Sequence, residues 1–496
     1  MENQIPQNSI KSKLLFVLIV LVLVLPAIQR EFRLINEKPL TGAFVEKSKP
    51  SFDSLTYQKW YDGTFQSTYN DLIEADIGFR KTLVRISNQL QYKLLRKANA
   101  EGVVVGKKAE LYEEDYIRAV KGDFFVGEKA WVDKAVMLKK VQDTLESLGK
   151  TIVVVFEPGK GSVYPDRYPI GYNKTAKNPS NYKIFSKALD SLNVNKLDLN
   201  EFFIQQREQV PYRLFPRIGT HWSYYGAALA ADTTLNYLHT LTGFNIPQIK
   251  ITNLEEKEKP RHPDDDIWLA MNLLYPPPSD ELIYPTIIHE PSEKSSARIL
   301  IIGDSFYFNW QSEKIMANAF SDGSFWYYNK HNWNFSGVET GLVKDMDFRE
   351  QIMKHDIFLI MITERFHHNF AWNFDEQLFE LFYPGERDKL EYFANQIRIS
   401  NLEFMRLVKD AKTRNISLEE RLIKEAKYLM FEDYTRSPEK YTRKQDYILM
   451  LSMSIESTPE WYEKVKEKAA QNQISVEEMI RLDAEWIYNQ KFGGIQ

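Results

Sequence analysis

Apolar positions along the chain fall into three kinds of pattern. Residues 14–28 form an unbroken apolar run, with Lys11 and Lys13 before it and Arg30 and Arg33 after it. That length lies between a signal-peptide core and a short spanning helix. Residues 25–29 offer no small-x-small cleavage pattern, so an uncleaved anchor is expected, its short tail inside and the bulk of the chain on the outer, periplasmic side of the cytoplasmic membrane. Segments 55–75, 79–98, 128–148, 182–192 and 224–238 carry apolar residues at helical spacing. In the second of these, Leu83, Ile86, Leu90, Tyr92 and Leu94 recur with basic residues between them. Short apolar runs at 151–156, 299–302 and 356–363 read as buried strands, and 103–112 as strand, turn and strand. Strands alternating with helices predict an α/β fold built on a parallel, doubly wound sheet. The polar, proline-bearing stretch 254–291 reads as an inserted loop with one short helical piece.

Beyond residue 385 the pattern becomes charged and helical, with no strand-like run. Asn415-Ile416-Ser417-Leu418-Glu419-Glu420 is echoed by Gln473-Ile474-Ser475-Val476-Glu477-Glu478. In both copies a serine precedes a glutamate by three positions, the capping-box spacing that starts a helix. Two such helix hairpins can pack as a small bundle. The expected organisation is therefore a tail and membrane anchor over 1–36, an α/β domain over 37–384, and an all-helical extension over 385–496 with a docking or spacer role.

Composition narrows the chemistry. Hydrophobic residues make up 43% and charged residues 27% of the 496, ordinary for a folded protein. The net charge of −4 gives no electrostatic reason to expect a nucleic-acid partner, which would call for a basic face. With no cysteine there is no disulfide, thiolate metal site, cysteine nucleophile or lipidated cysteine. The eight histidines show no ligand spacing, and neither a metal nor another cofactor is expected. The adjacent His367 and His368 are expected at the surface or in a cleft.

Two motifs carry the candidate reaction. The strand at 299–302 runs into Gly303-Asp304-Ser305-Phe306, which lifts a serine hydroxyl to the carboxyl end of a parallel strand; the glycine is expected to permit the turn. Gly219-Thr220-His221-Trp222-Ser223 places an imidazole just ahead of a helix. A serine needs a base to take its proton, so Ser305 and His221 are the candidate nucleophile and general base. The competing local readings are a Ser305 that caps the following helix and a His221 that packs on Trp222. Loop 157–165, at the carboxyl end of strand 151–156, brings Lys160 to the edge where ligands bind in open α/β sheets. Glu364 and Arg365, ending strand 356–363, either pair with each other or support the site, and Asp304 is placed to brace the nucleophile turn.

From about residue 60 to residue 364 the chain resembles the SGNH-hydrolase-like domain of the alginate O-acetyltransferase family, the AlgJ/AlgX-like proteins. The matching features are Gly78-Phe79-Arg80, Gly106-Lys107 before Leu111-Tyr112, Pro158 with Tyr164-Pro165, Thr220-His221-Trp222 with Gly226-Ala227, and Gly303-Asp304-Ser305-Phe306. Histidine precedes serine, as in that family. The resemblance implies an SGNH-hydrolase-like parallel sheet flanked by helices and an envelope enzyme that moves acetyl groups onto, or off, polysaccharide hydroxyls. It also implies a polytopic membrane O-acyltransferase as partner.

One departure stands out. The family motif reads Asp-x-His, and here the aspartate position is Gly219. Three arrangements are open: a carboxylate from elsewhere, such as Glu364 or Asp304; a backbone carbonyl that orients His221 in a dyad; or a degenerate site that binds glycan without turnover. The functions open are a polysaccharide O-acetyltransferase or a carbohydrate acetylesterase, which differ only in the last acceptor, and, for the degenerate site, a non-catalytic scaffold. On this reading Gly219→Asp should raise activity or leave it unchanged.

Overall fold

The computed structural model describes residues 9–42, 55–172, 175–280 and 282–493. Strands β1 (Val103–Val105) and β2 (Leu111–Glu113) form a small antiparallel pair. β3 (Thr151–Glu157) and β4 (Lys196–Asp198) belong to the central sheet, whereas β5 (Gln248–Lys257) and β6 (Leu282–Glu290) form a separate antiparallel ribbon. β7 (Ser295–Gly303), β8 (Phe320–Tyr327), β9 (His331–Asn334), β10 (Glu339–Leu342) and β11 (Ile357–Thr363) complete the central sheet. Its order is β10-β9-β8-β7-β11-β3-β4, parallel from β8 to β4, with β9 and β10 added antiparallel at one edge.

Alternate residues of the three apolar runs serve two cores, which is why they read as continuous and not alternating. Val154, Phe156, Leu300, Ile302, Ile360 and Ile362 face one layer, with helices Glu128–Ser147 and Asn181–Ser191. Val153, Val155, Ile299, Ile301, Leu359 and Met361 face the other, under helix Tyr224–Thr242. All seven residues of β11 are buried. The result is the expected α/β sheet flanked by helices.

The stretch 254–291 is not the expected inserted loop. Residues 282–290 pair with 248–257 as β6 against β5, and the helical piece between them is Asp266–Met271. The ribbon was hidden because β5 is mostly solvent-exposed and so lacks an apolar alternation.

After residue 385 the described elements are all helical. Both serine caps form: Ser417 Oγ accepts from Glu420 N–H at 3.0 Å and Ser475 Oγ from Glu478 N–H at 3.1 Å. Packing divides the segment at a different place from composition. Phe404, Leu407, Leu418, Leu422 and Ala426 join the same core as Val154 and Ile360. Met450, Ile455, Val465, Ile480 and Ala484 form a core of their own with Met430. The boundary expected at 385 thus cuts through the main core, because the amphipathic helices Lys389–Ile399, Asn401–Arg414 and Leu418–Arg436 bury their apolar faces on the sheet layer.

At the other end, helix α1 (Ser9–Phe32) is long and apolar enough to cross a membrane by length and composition. Helices α2 (Tyr57–Tyr61), α3 (Thr64–Asp76) and α4 (Arg80–Leu95) follow. The end of α1 is gripped by the α3–α4 turn: a Cβ on Gly78 would lie 2.1 Å from the Pro26 carbonyl oxygen. Arg30 Nε pairs with Asp76 Oδ2 at 2.9 Å.

Candidate active site

β7 delivers Ser305 to the carboxyl edge of the sheet. The glycine before it answers to a close approach and not to an unusual turn: a Cβ on Gly303 would meet the Met361 Cβ of neighbouring β11 at 3.2 Å. Asp304 is fully buried and braces this turn. Its Oδ1 accepts from Phe306 N–H at 3.0 Å, and its Oδ2 accepts from Thr363 N–H at 3.2 Å and Thr363 Oγ1 at 2.6 Å. With that capping supplied by Asp304, Ser305 Oγ points elsewhere. It lies 2.8 Å from His221 Nε2.

The other ring nitrogen of His221, Nδ1, lies 2.6 Å from Oδ2 of Asp266. This carboxylate is neither Glu364 nor Asp304, nor a backbone carbonyl. Asp266 opens the helix Asp266–Met271, and its Oδ1 accepts from Thr220 N–H at 2.8 Å. The β5–β6 ribbon and its surroundings hold that segment in place. Tyr284 Oη donates to Asp264 Oδ2 at 3.0 Å and accepts from Arg261 N–H at 2.8 Å, and Tyr224 Oη donates to the His262 carbonyl at 2.8 Å. Burial pushes the Asp264 carboxyl up to about 7. Trp268 N–H donates to the Ile218 carbonyl at 3.0 Å, tying the segment back to the histidine loop.

Gly219 sits against this same segment. A Cβ there would meet the Asp264 carbonyl oxygen at 2.5 Å and Pro216 Cγ at 3.0 Å. The position where the related motif carries an aspartate is occupied by the backbone of the segment that brings Asp266. His221 itself packs its ring 4.8 Å from Phe306, centroid to centroid, while Trp222 is buried behind it and donates through Nε1 to the Phe306 carbonyl.

Lys160 is not a solvated loop lysine. It is 1% exposed, and its Nζ donates to the carbonyls of Leu111 (2.8 Å), Pro216 (2.7 Å), Arg217 (3.0 Å) and Gly219 (2.8 Å). Glu110 Oε1 lies 3.0 Å away as counter-charge and is itself held bidentately by Arg213 at 2.8 Å. Burial draws the Lys160 ammonium down to about 8 against the pull of Glu110, which leaves it protonated at neutral pH. It gathers the strand end at Leu111 and the loop that leads into His221.

Glu364 and Arg365 do not pair with each other. Glu364 is buried and accepts from Ser162 Oγ; burial pushes its carboxyl up to about 7. Arg365 pairs with Glu113, lies over the Tyr116 ring and touches that network from the far side, since Glu113 Oε2 also accepts from Thr220 Oγ1 at 3.3 Å. His367 and His368 are buried, in contrast to the surface or cleft position expected. His368 stacks on Phe404 with centroids 4.1 Å apart, and His367 packs on Phe156. Burial lowers both imidazoles to about 3.

Asp266 is the residue that reading the chain missed. The only local signal is the acidic run Asp264-Asp265-Asp266 at the start of a short helix, inside a stretch that looked like loop. Together the three side chains form one hydrogen-bonded line from carboxylate to imidazole to hydroxyl. Such a line keeps the imidazole in the tautomer that can take a hydroxyl proton at Nε2.

A parallel sheet with a serine after one strand and a histidine on a separate loop fits an SGNH hydrolase-like domain. Residues 103–266 match the family model described as the SGNH hydrolase-like domain of acetyltransferase AlgX. The matched segment contains Lys160, His221 and Asp266 and ends before Ser305. A probable alginate O-acetylase AlgJ of Pseudomonas putida is 23% identical over 194 residues, 38% of this chain and 48% of that protein. Its counterpart in Pseudomonas fluorescens is 27% identical over 252 residues, 50% of this chain and 59% of that protein. The chain spans about half the length of these curated relatives. The solved O-acetyltransferase domain of Pseudomonas putida AlgJ is 18% identical and aligns over 56% of this chain and 99% of that domain, with a TM-score of 0.37. The chain is AlgJ/AlgX-like, and its match to the SGNH hydrolase-like domain is carried by residues 103–266.

Proposed function

We propose that this protein is a cell-envelope O-acetyltransferase acting on polysaccharide hydroxyls through an acyl-enzyme on Ser305. The observation that carries the reading is the Asp266–His221–Ser305 hydrogen-bonded line, with spacings of 2.6 and 2.8 Å. Ser305 Oγ attacks the acetyl carbonyl carbon while its proton passes to His221 Nε2. The tetrahedral intermediate collapses to acetyl-Ser305, and the leaving group takes that proton from the imidazolium. A sugar hydroxyl then gives its proton to His221 and attacks the acetyl carbon, and Ser305 recovers the proton as the ester is released. Asp266 holds Nδ1–H and favours the imidazolium formed at each stage. Phe306 N–H is engaged by Asp304, so the backbone donor for the oxyanion is Ser305 N–H.

Hydrolysis differs from transfer only in the final acceptor, and an acetylesterase is the reading that a missing acceptor site would favour. Asp266 beside His221 supports turnover over the scaffold reading that Gly219 suggests. In this proposal α1 anchors the chain with its bulk on the outer, periplasmic side, beside a polytopic membrane O-acyltransferase that supplies acetyl groups. The test is release of a chromogenic acetyl ester by the purified protein with and without an acceptor oligosaccharide. Acetyl-oligosaccharide formed by wild type, and by neither Ser305→Ala nor His221→Ala, is the expected result. Equal activity of Ser305→Ala would overturn the mechanism, and ester cleavage with no acetylated acceptor would make the protein an esterase.

A further inference from the structure

Helix α4 is built inside out for a helix on the surface of a soluble protein. Such helices turn an apolar stripe toward the core and a polar face outward. In α4 the buried residues are Asn88, Gln89 and Tyr92, and two of the three are polar. Asn88 Nδ2 donates to the Met271 carbonyl at 2.9 Å, and Gln89 Oε1 accepts from Tyr275 N–H at 3.0 Å. The outward stripe is Leu83, Ile86, Leu90 and Leu94, spaced 3, 4 and 4 positions apart, with Leu90 53% and Leu94 75% exposed. The two helices before it also carry exposed apolar residues: Tyr57, Trp60 (55%) and Tyr61 (82%) on α2, which packs on α3, and Ile73 on α3, which packs on α4.

Two further features say what covers this surface. The first is charge: α4 contains Arg80, Lys81, Arg85 and Lys93 and no acidic residue, and Arg96 and Lys97 follow it. A basic helix with an apolar stripe, preceded in the chain by exposed Trp and Tyr, has the composition that lies in the headgroup layer of a bilayer. The second is continuity with α1. The stripe begins five residues after Gly78, the point at which the end of α1 is gripped. Glu37 Oε1, on the segment leaving α1, accepts from Thr82 N–H at 2.8 Å and Thr82 Oγ1 at 2.7 Å. Arg85 donates to the carbonyls of Lys38 and Pro39 at 2.9 and 2.7 Å. The chain leaving the spanning segment is thus tied directly to α4.

We propose that α4, with the aromatic side chains of α2, rests on the outer leaflet as an interfacial helix whose occupant is the lipid surface itself. This rests on reading α1 as an anchor. Through Asn88 the helix is hydrogen-bonded to the end of Asp266–Met271, the helix that opens on Asp266. The bilayer would therefore set the height and orientation of the site above the membrane.

The absence of native cysteine makes the test direct. The full chain is reconstituted in vesicles of phosphatidylethanolamine and phosphatidylglycerol, with single variants Leu90→Cys and Leu94→Cys carrying an environment-sensitive fluorophore. Leu21→Cys in α1 and Ser336→Cys in the β9–β10 turn are the membrane and water references. The expected result is a blue shift at positions 90 and 94 relative to 336, with stronger quenching by lipids spin-labelled near the headgroup than by lipids labelled deep in the acyl chain. Position 21 should show the reverse depth order. Labels at 90 and 94 that behave like 336 while 21 remains in the bilayer overturn the proposal and point to a protein partner on this face. A water-exposed label at 21 with interfacial labels at 90 and 94 strikes the anchor reading alone. Unchanged thermal unfolding of each variant checks that the exposed substitutions leave the fold intact.

Discussion

His221 and Asp266 stand 45 residues apart in the chain and 2.6 Å apart in the structure, Nδ1 to Oδ2. The carboxylate beside His221 comes from residue 266 and not from position 219, which is glycine. In a serine-nucleophile site, spoiling this carboxylate strands the imidazole in the wrong tautomer and costs about four orders of magnitude in turnover. Asp266→Asn should therefore lower turnover of an acetyl ester by about 10⁴-fold while substrate affinity changes little. Steady-state kinetics beside a thermal melt check it, and an Asn variant that keeps wild-type turnover would remove Asp266 from the mechanism.

Gly219→Asp should lower activity, the reverse of what the motif alone leads one to expect. Its Cβ would sit 2.5 Å from the Asp264 carbonyl oxygen, inside any real contact distance. Backbone and not a flexible side chain must then give way, and the backbone in question carries Asp266. Gly219→Ala should show the same loss, which separates crowding from charge. The acetyl-ester assay on both variants decides.

Which parts could be read from the chain follows from how local their causes are. Ser305 is placed by the strand directly before it and His221 by the helix directly after it, so both were visible as short motifs. The buried strands were visible because each is apolar on both faces over at least four consecutive residues. Asp266 was not visible, because its placement depends on a ribbon pairing residues 248–257 with 282–290, and the exposed face of β5 carries no apolar pattern. Lys160 and Arg365 were found as charged residues at strand ends, but their partners, four carbonyls and Glu113, come from loops far off in sequence. The edge strands β9 and β10 were missed because they are only four residues long and carry no buried face, β9 being half-buried throughout and β10 mostly exposed.

Lys160→Met should destabilise the fold and loosen the histidine loop together. The substitution leaves the buried carbonyl oxygens of Leu111, Pro216 and Gly219 without their shared donor, while the Arg217 carbonyl keeps Leu111 N–H, and it removes one of the two cations on Glu110. Orphaning buried polar groups and breaking a buried pair costs about 3 kcal/mol or more. Chemical denaturation reads the stability. Turnover measured at a temperature where the variant is still folded reads the positioning, and it should fall even there. A variant with wild-type stability would mean that the site closes over the missing ammonium.

Acid should unfold the protein partly through His367 and His368. Burial lowers both to about 3, while the unfolded chain titrates near the ordinary 6.5. Between those values the unfolded state binds more protons, so the stability contributed by the neutral pair is complete above about pH 6.5 and is lost as pH falls toward 3. His368→Phe keeps a ring against Phe404 and removes one of the two titrations. Its acid midpoint, followed by near-ultraviolet circular dichroism, should lie lower than that of wild type. A midpoint that does not move would show that other groups drive the acid transition.

Truncation should separate the two halves of the helical segment. Helices from Lys389 to Arg436 place Phe404, Leu407, Leu418, Leu422 and Ala426 in the core that also holds Val154 and Ile360, and His368 stacks on Phe404. Cutting at residue 385 would uncover that core, and exposing even a few such side chains costs about 1.5–3 kcal/mol each. Against a total stability of about 5–15 kcal/mol, the remaining chain should not fold. Cutting after Ser437 removes a unit with its own core around Met450, Val465 and Ile480 and leaves most of the sheet layer covered. That shorter chain should stay soluble and should retain esterase activity if Ser305, His221 and Asp266 suffice for it. Expression of both truncations, with melting curves and the acetyl-ester assay, tests the division. A folded, active chain ending at 385 would show that the shared packing is dispensable and restore the boundary that composition suggests.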